Sequence, residues 1–407
     1  MALPAKLELK RSIAAGDTLG KPFAEDAVAF CTAGVWGEDD TVVYYVDGEY
    51  ALWSYAADGT KTQVKEAVDG ATGAFVSYDS EGKCLFVLYD FDNAADKKIF
   101  VKDTVSGKSF TVVYKYVSYI TAIAGSKKDS SFFIASGRGS YMSILPLEFS
   151  SNFSAMFDAG SGFNDEVTGT DLFLLGSETL FTTTLKKDPI QYKITDMTVI
   201  GGKLYALFAS CFEQTNYVYD DYGYYYPLGN YSTAGGVLRI NYSGNLSVDT
   251  TFGTGGIAGY SENVKYESNN DINNATYLLP YPVYNGSEKI YSTEWSTARI
   301  NSNLEFNNPQ KIIAIKPDEL VIAENGLALT VDDNDNNYRK HYNLARAVTM
   351  DLNGKIKSVT AVHGKSFSYG GWEKRFNDGL GGDILGDGLV VSSIAKNTEL
   401  HNDIQFK

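Results

Sequence analysis

At 407 residues, with a hydrophobic fraction of 44% and an aromatic fraction of 14%, the chain is long and apolar enough to fold almost throughout, which excludes global disorder. Thirty-five Lys and Arg against fifty Asp and Glu give a formal net charge of −15, which repels phosphate backbones and anionic lipid surfaces and argues against nucleic-acid and membrane-surface binding. No apolar stretch approaches the length of a membrane span.

From the N-terminus onward, helical periodicity is nearly absent. Short runs of apolar, β-branched and aromatic residues recur instead, bounded by Gly, Asp, Asn or Lys turns, and predict an almost wholly β chain. Paired runs separated by a tight turn fall at 27–46, 73–90, 121–136, 171–184, 197–210, 275–293, 311–324 and 382–394. Between them lies a second kind of hairpin, centred on Gly59, Gly107, Gly244 and Gly354, where a two-residue turn needs the positive φ that glycine adopts without a steric penalty. "LPLEFSSNFSAMFDAGSG" (145–162) aligns without a gap to "LRINYSGNLSVDTTFGTG" (238–255), with Ser151 in place of Gly244.

Two alternating hairpins make a four-stranded unit. Eight units in 407 residues average about 51 residues each, the length expected of propeller blades. The sequence therefore predicts a single-domain β-propeller over 1–407, with eight blades expected. Seven is the alternative, because the unit near 171–194 is short for four strands. "KLELKRSI" (6–13) is expected to close the ring by pairing with a last blade built from "GLVVSSIAK" and "ELHNDIQF", which would hide the sheet edges.

"LRINYSGNLSVDTTFGTGGI" joins an apolar strand, a Gly turn, an Asp and Phe-Gly-x-Gly-Gly: Gly244, Asp249, Phe252, Gly253, Gly255 and Gly256. This one segment of the chain resembles the delta-sixty type of bacterial propeller repeat. The resemblance implies an exported bacterial propeller and carries no catalytic residues with it.

Cys31, Cys84 and Cys211 are far apart, odd in number and set in apolar runs, so buried free thiols are expected rather than a disulfide framework or metal site. "MALPAKLELKRS" lacks the apolar middle of a signal peptide; either the protein is cytoplasmic or a targeting segment was removed. Few Cys and many Asn, Ser, Thr and Tyr favour an exported, extracytoplasmic protein of the periplasm or cell surface, where a lipid anchor could accompany a removed signal. Six Asn-x-Ser/Thr sequons arise in an Asn- and Ser-rich chain by composition.

The most unusual stretch is "YVYDDYGYYYP" (217–227), inside an insertion at about 211–234. Tyrosine offers flat area with a polar tip at low entropic cost, and neighbouring carboxylates bond sugar hydroxyls. Tyr217, Tyr219, Asp220, Asp221, Tyr222, Tyr224, Tyr225 and Tyr226 are therefore the candidate ligand-binding residues, against the alternative that the rings cover their own blade.

Asp333, Asp335 and Asn337 in "VDDNDNNYRKH" resemble the start of a calcium loop, but Tyr338 stands where an EF-hand needs Gly and Leu344 where it needs Glu. A hairpin tip is the simpler account, so no cofactor is called for, and calcium is the alternative. "SYDSEGKCLF" (77–86) is similar to the Asp-box turn of sialidase-type propellers, but its Gly is one position late and the Trp is missing. Asp378, Asp383 and Asp387 among the glycines of 377–389 read as a connection between blades. The three histidines are scattered, and no nucleophile elbow, HExxH or phosphate loop occurs.

The expected function is a non-enzymatic binding or scaffold protein of the bacterial envelope, recognising a protein or glycan through loops on one face of the ring. The alternatives are a carbohydrate-active enzyme, glycoside hydrolase or lyase, with two or more carboxylates converging in the central funnel, and a purely structural envelope subunit.

Overall fold

The structure is a computed structural model. It describes residues 27–33, 42–56, 59–92, 96–116, 119–138, 141–160, 167–169, 173–176, 191–212, 216–219, 225–228, 231–259, 282–285, 288–291, 306, 309–315, 318–324, 328–332, 338–343, 346–361, 367–370, 380–385 and 388–393.

The first sheet is β1 (Ala29–Ala33), β2 (Val42–Val46), β3 (Leu52–Ala56) and β4 (Lys61–Lys65), and the second is β5 (Gly73–Asp79), β6 (Cys84–Asp90), β7 (Asp96–Asp103) and β8 (Ser109–Lys115). The third is β9 (Ala122–Ser126), β10 (Ser131–Arg138) and β11 (Tyr141–Phe149), then helix α1 (Phe153–Ala159), then β12 (Val167–Gly169) and β13 (Phe173–Gly176), which both pair with β11.

In the fourth, β14 (Gln191–Ile200) and β15 (Lys203–Phe212) are followed by a separate hairpin, β16 (Asn216–Tyr219) and β17 (Tyr225–Leu228). The chain then returns to the sheet as β18 (Tyr231–Asn241), with β19 (Ser247–Val248) and β20 (Ile257–Ala258) along its outer edge. After a two-stranded pair, β21 (Pro282–Asn285) and β22 (Glu288–Tyr291), the fifth sheet begins with β23 (Pro309–Ile315) and β24 (Glu319–Glu324).

It is interrupted by β25 (Ala328–Asp332) and β26 (Tyr338–Asn343), and resumes with β27 (Arg346–Asp351) and β28 (Ile356–Ala361). β29 (Phe367–Gly370) pairs back onto β26, and β30 (Leu380–Leu385) and β31 (Gly388–Ser393) form a last hairpin.

All five large sheets share one plan: antiparallel strands running outward, the first innermost. β1, β5, β9, β14 and β23 touch in succession, and β23 also meets β1. The sheets are thus blades around an axis, and the protein is all-β in a propeller arrangement. β30 contacts both β23–β24 and β1–β2, bridging the fifth blade to the first.

Blade faces explain the continuous apolar runs. β6, "CLFVLYD", is buried along nearly its whole length, because neighbouring blades cover both of its faces. Cys84, Phe86 and Leu88 pack into the cluster shared with the third blade, while Leu85, Val87 and Tyr89 pack into the cluster shared with the first. The turn glycines behave as expected: Gly59, Gly107, Gly244 and Gly354 have φ of 93°, 74°, 88° and 91° and join third strands to outer strands.

The "DTTFGTGG" segment locks the fourth blade to the fifth. Phe252 is fully buried in their shared cluster, edge-on to Tyr205 at 5.8 Å, with the Arg239 guanidinium 4.9 Å from its ring centroid. Arg239 Nε donates to Asp249 at 3.0 Å and its Nη1 to the Leu352 carbonyl of the fifth blade at 2.7 Å. In the aligned segment of the third blade, Pro146 and Met156 stand where Arg239 and Asp249 stand, so both members of the ion pair are missing together. There the connection is α1 instead, capped by Asn152, whose side chain accepts from the Ala155 N–H at 2.9 Å, and Met156 is buried.

Three expectations are corrected. Eight blades were expected; five sheets of four strand positions and the bridging hairpin β30–β31 are found among the described residues. The count of eight took each paired run for the core of a blade, whereas the run at 275–293 supplies only the two-stranded sheet β21–β22 and that at 382–394 only the hairpin β30–β31, and β16–β17 and β25–β26–β29 spend further chain in small separate sheets. The run at 173–176 was expected to open a hairpin, but β13 is outer-edge strand of the third blade, which removes the short unit near 171–194. The stretch at 377–389, expected as a connection, supplies β30 and the start of β31. The proposed closing strand at 6–13 lies outside the described residues.

Candidate functional site

Inner strands meet at the axis, and there β14 and β23 both carry register irregularities, between Ile194 and Asp196 and between Pro309 and Lys311. Such bulges re-aim side chains. Thr195 Oγ1 donates to the Pro309 carbonyl at 2.8 Å, tying the two bulges together. Asp196, buried, accepts the Ile312 N–H at 2.8 Å and faces Lys311 Nζ at 3.3 Å. Burial pushes its carboxyl upward, and this outweighs the lowering by Lys311 and the backbone N–H groups.

The pair lines an axial cavity together with Thr32, Ser77, Tyr78 and Thr198. The centre of a water-sized sphere can move in about 20 Å³ of it, room for about one water. Asp196 is the only carboxylate among these lining residues. Asp79, whose carboxyl burial also pushes up, sits instead in the β5–β6 turn, accepting the N–H groups of Glu81, Gly82 and Lys127. Glycoside hydrolysis needs two converging carboxylates, and the described residues of this cavity supply one.

The two faces of the ring differ. On one lie the turns from inner to second and from third to outer strands, and they are bonded to each other across blades. Lys127 Nζ pairs with Asp103 at 3.0 Å, the Gly201 N–H donates to Glu81 at 3.0 Å, Tyr242 donates to Asp129, and Tyr205 donates to the Leu352 carbonyl at 3.0 Å. Asp103 shows the commitment: burial raises its carboxyl, but hydrogen bonds from Ser106, Lys127 and the Val105 N–H outweigh this and hold it down to about 2. The turn that resembles an Asp-box is part of this lacework, through Asp79.

From the other face come the connections between second and third strands. In the fourth and fifth blades these are the inserted elements: β16–β17 departs from β15 and returns to β18, and β25–β26 departs from β24 and returns to β27. Both insertions leave the ring on the same side.

The Tyr candidates fall on the first insertion. Tyr217 and Tyr219 lie in β16 and Tyr225 and Tyr226 in β17, with Tyr219 paired to Tyr225 and Tyr217 to Pro227. Asp220, Asp221, Tyr222 and Tyr224 lie outside the described residues, as do Asp333, Asp335 and Asn337. Among the described residues no group of three or more His, Cys, Asp or Glu converges as a metal site, and no helix is long and apolar enough to cross a membrane. Cys31 and Cys84 are buried and in no disulfide, and burial raises the Cys84 thiol. The axial pair was missed in the sequence, where its only trace is one Asp and one Lys beside apolar strand runs.

No protein-family model and no curated protein matches the chain. Solved structures resemble it at low identity. A nidogen/laminin complex matches at 10% identity over 82% of this chain and 79% of that one, with a TM-score of 0.31. The β-propeller domain of the Trilobed protease from Pyrococcus furiosus matches at 8% identity over 85% and 99%, TM-score 0.30, and a GH43 glycoside hydrolase at 10% over 85% and 83%, TM-score 0.28. At such scores these likenesses carry no argument, and the propeller arrangement rests on the blades themselves.

Proposed function

We propose that the protein is a non-enzymatic binding or scaffold component of the bacterial envelope, exported, that recognises a protein or glycan through the face bearing the inserted hairpins. The observation that carries this reading is the asymmetry of the faces: the turns on one side are consumed in bonds between blades, while the other side sends out β16–β17 and β25–β26 from adjacent blades. Loops outside a repeat are free to recognise, since the strands are committed to packing.

Both insertions are rich in aromatic residues: Tyr217, Tyr219, Tyr225 and Tyr226 in the first, Tyr338 and Tyr342 beside Arg339, Lys340 and His341 in the second. That composition is enriched at recognition surfaces. The calcium loop at Asp333, Asp335 and Asn337 would lie between β25 and β26 and is the one cofactor proposal to test alongside.

The test is deletion of residues 214–230. The deletion protein is expected to keep its thermal midpoint and lose retention on immobilised envelope oligosaccharides and peptides. Retention equal to wild type would make the Tyr cluster structural cover. The enzyme alternative would need a second carboxylate beside Asp196, which among the described residues of the axial cavity is paired with Lys311.

A further inference from the structure

The axial cavity is built from polar groups that the blades do not satisfy among themselves. Thr198, 3% exposed, and Thr32 both line it, and the hydroxyl oxygen of each is buried with no hydrogen-bond partner among the described residues. Thr32 is on β1 and Thr198 on β14, inner strands of the first and fourth blades. An unmade hydrogen bond at a buried hydroxyl costs about 1–3 kcal/mol, so two of them on the lining of one cavity call for a partner.

Size and charge select that partner. About 20 Å³ admits a single small molecule. Asp196 and Lys311 together contribute no net charge, so a cation would meet Lys311 and an anion would meet Asp196 without compensation. A neutral molecule that both donates and accepts suits two hydroxyls and a carboxylate. We infer that the axial cavity binds one water molecule, held by the Thr32 and Thr198 hydroxyls beside the Asp196 carboxylate. This water joins the first blade to the fourth across the axis, where among the described residues no ladder of backbone hydrogen bonds links them.

The test counts long-lived waters by oxygen-17 magnetic relaxation dispersion in wild type, Thr198→Ser and Thr198→Val, with room-temperature crystallography of each. Wild type and T198S are expected to hold density between the two positions and to show one more long-lived water than T198V. Equal counts in all three folded proteins, or a cavity without density in wild type, overturn the inference. A rubidium or bromide anomalous peak in the cavity of salt-soaked crystals overturns it too, in favour of an ion. If T198V fails to fold, the density in wild-type crystals decides the test.

Discussion

Removing Asp196 should be among the most damaging single changes in this chain. Asp196→Ala takes the carboxylate from beside Lys311, whose side chain is 15% exposed, and leaves the Ile312 N–H without its acceptor. Breaking a buried ion pair from one side costs about 3–5 kcal/mol. The double variant Asp196→Ala/Lys311→Met removes the lysine charge as well and keeps the cost of the unpaired amide, about 1–3 kcal/mol. The double should therefore be more stable than D196A by about 2 kcal/mol, measured as urea midpoints followed by tryptophan fluorescence.

Lys311→Met alone adds a signature in pH. The Asp196 carboxyl is raised above the 3.8 of the free side chain, so between 3.8 and its folded value the native state holds a proton that the unfolded chain has lost. Stability from this group is greatest at low pH and falls as pH rises through that window. Removing the lysine pushes the carboxyl further up and widens the window, so K311M should lose more stability relative to wild type at pH 8 than at pH 5. A D196A cost below about 1 kcal/mol, or single costs that simply add in the double, would refute the claim that the pair is buried and coupled.

Phe252→Ala should cost about 3–5 kcal/mol, since it empties the contact between the fourth and fifth blades, and differential scanning calorimetry will report it. Gly253→Ala should destabilise more than Gly107→Ala: a Cβ at Gly253 would lie 2.1 Å from the Ile257 carbonyl oxygen, whereas at Gly107 nothing lies within 4 Å and only the φ of +74° opposes it. The backbone penalty that both share is about 1–2 kcal/mol. Asp103, held down to about 2, contributes stability above its unfolded value of 3.8 that is lost as pH falls through the folded value. The stability difference between wild type and Asp103→Asn should therefore be full at pH 5 and shrink between pH 4 and pH 2, followed by urea titration.

Much of the fold was legible because blades write themselves locally. The alternation of tight hairpins with Gly-centred ones marks inner–second and third–outer strand pairs, and the glycines at 59, 107, 244 and 354 all sit in third–outer turns. Blade number was not legible, because the paired runs at 275–293 and 382–394, which supply β21–β22 and β30–β31, read in sequence like blade hairpins and differ only in which strands they pair with. The axial site was hidden for a related reason. Asp196 and Lys311 are 115 residues apart and become neighbours only when inner strands gather at an axis. In sequence Asp196 stood just before the apolar run that begins at Met197, and nothing local distinguishes it from a strand-end turn residue. The Tyr cluster was visible as composition, but its place on the face away from the interlocked turns is a property of topology.

The most direct test of the recognition claim is a thermal-shift screen of wild type and the 214–230 deletion against envelope oligosaccharides and peptides, with calcium and EDTA arms. A ligand at a hundred times its dissociation constant adds about 2.7 kcal/mol to the native state. The account predicts a stabilising ligand for wild type that leaves the deletion protein's midpoint unmoved, while both proteins melt alike without it. A ligand that stabilises the two equally would contradict it.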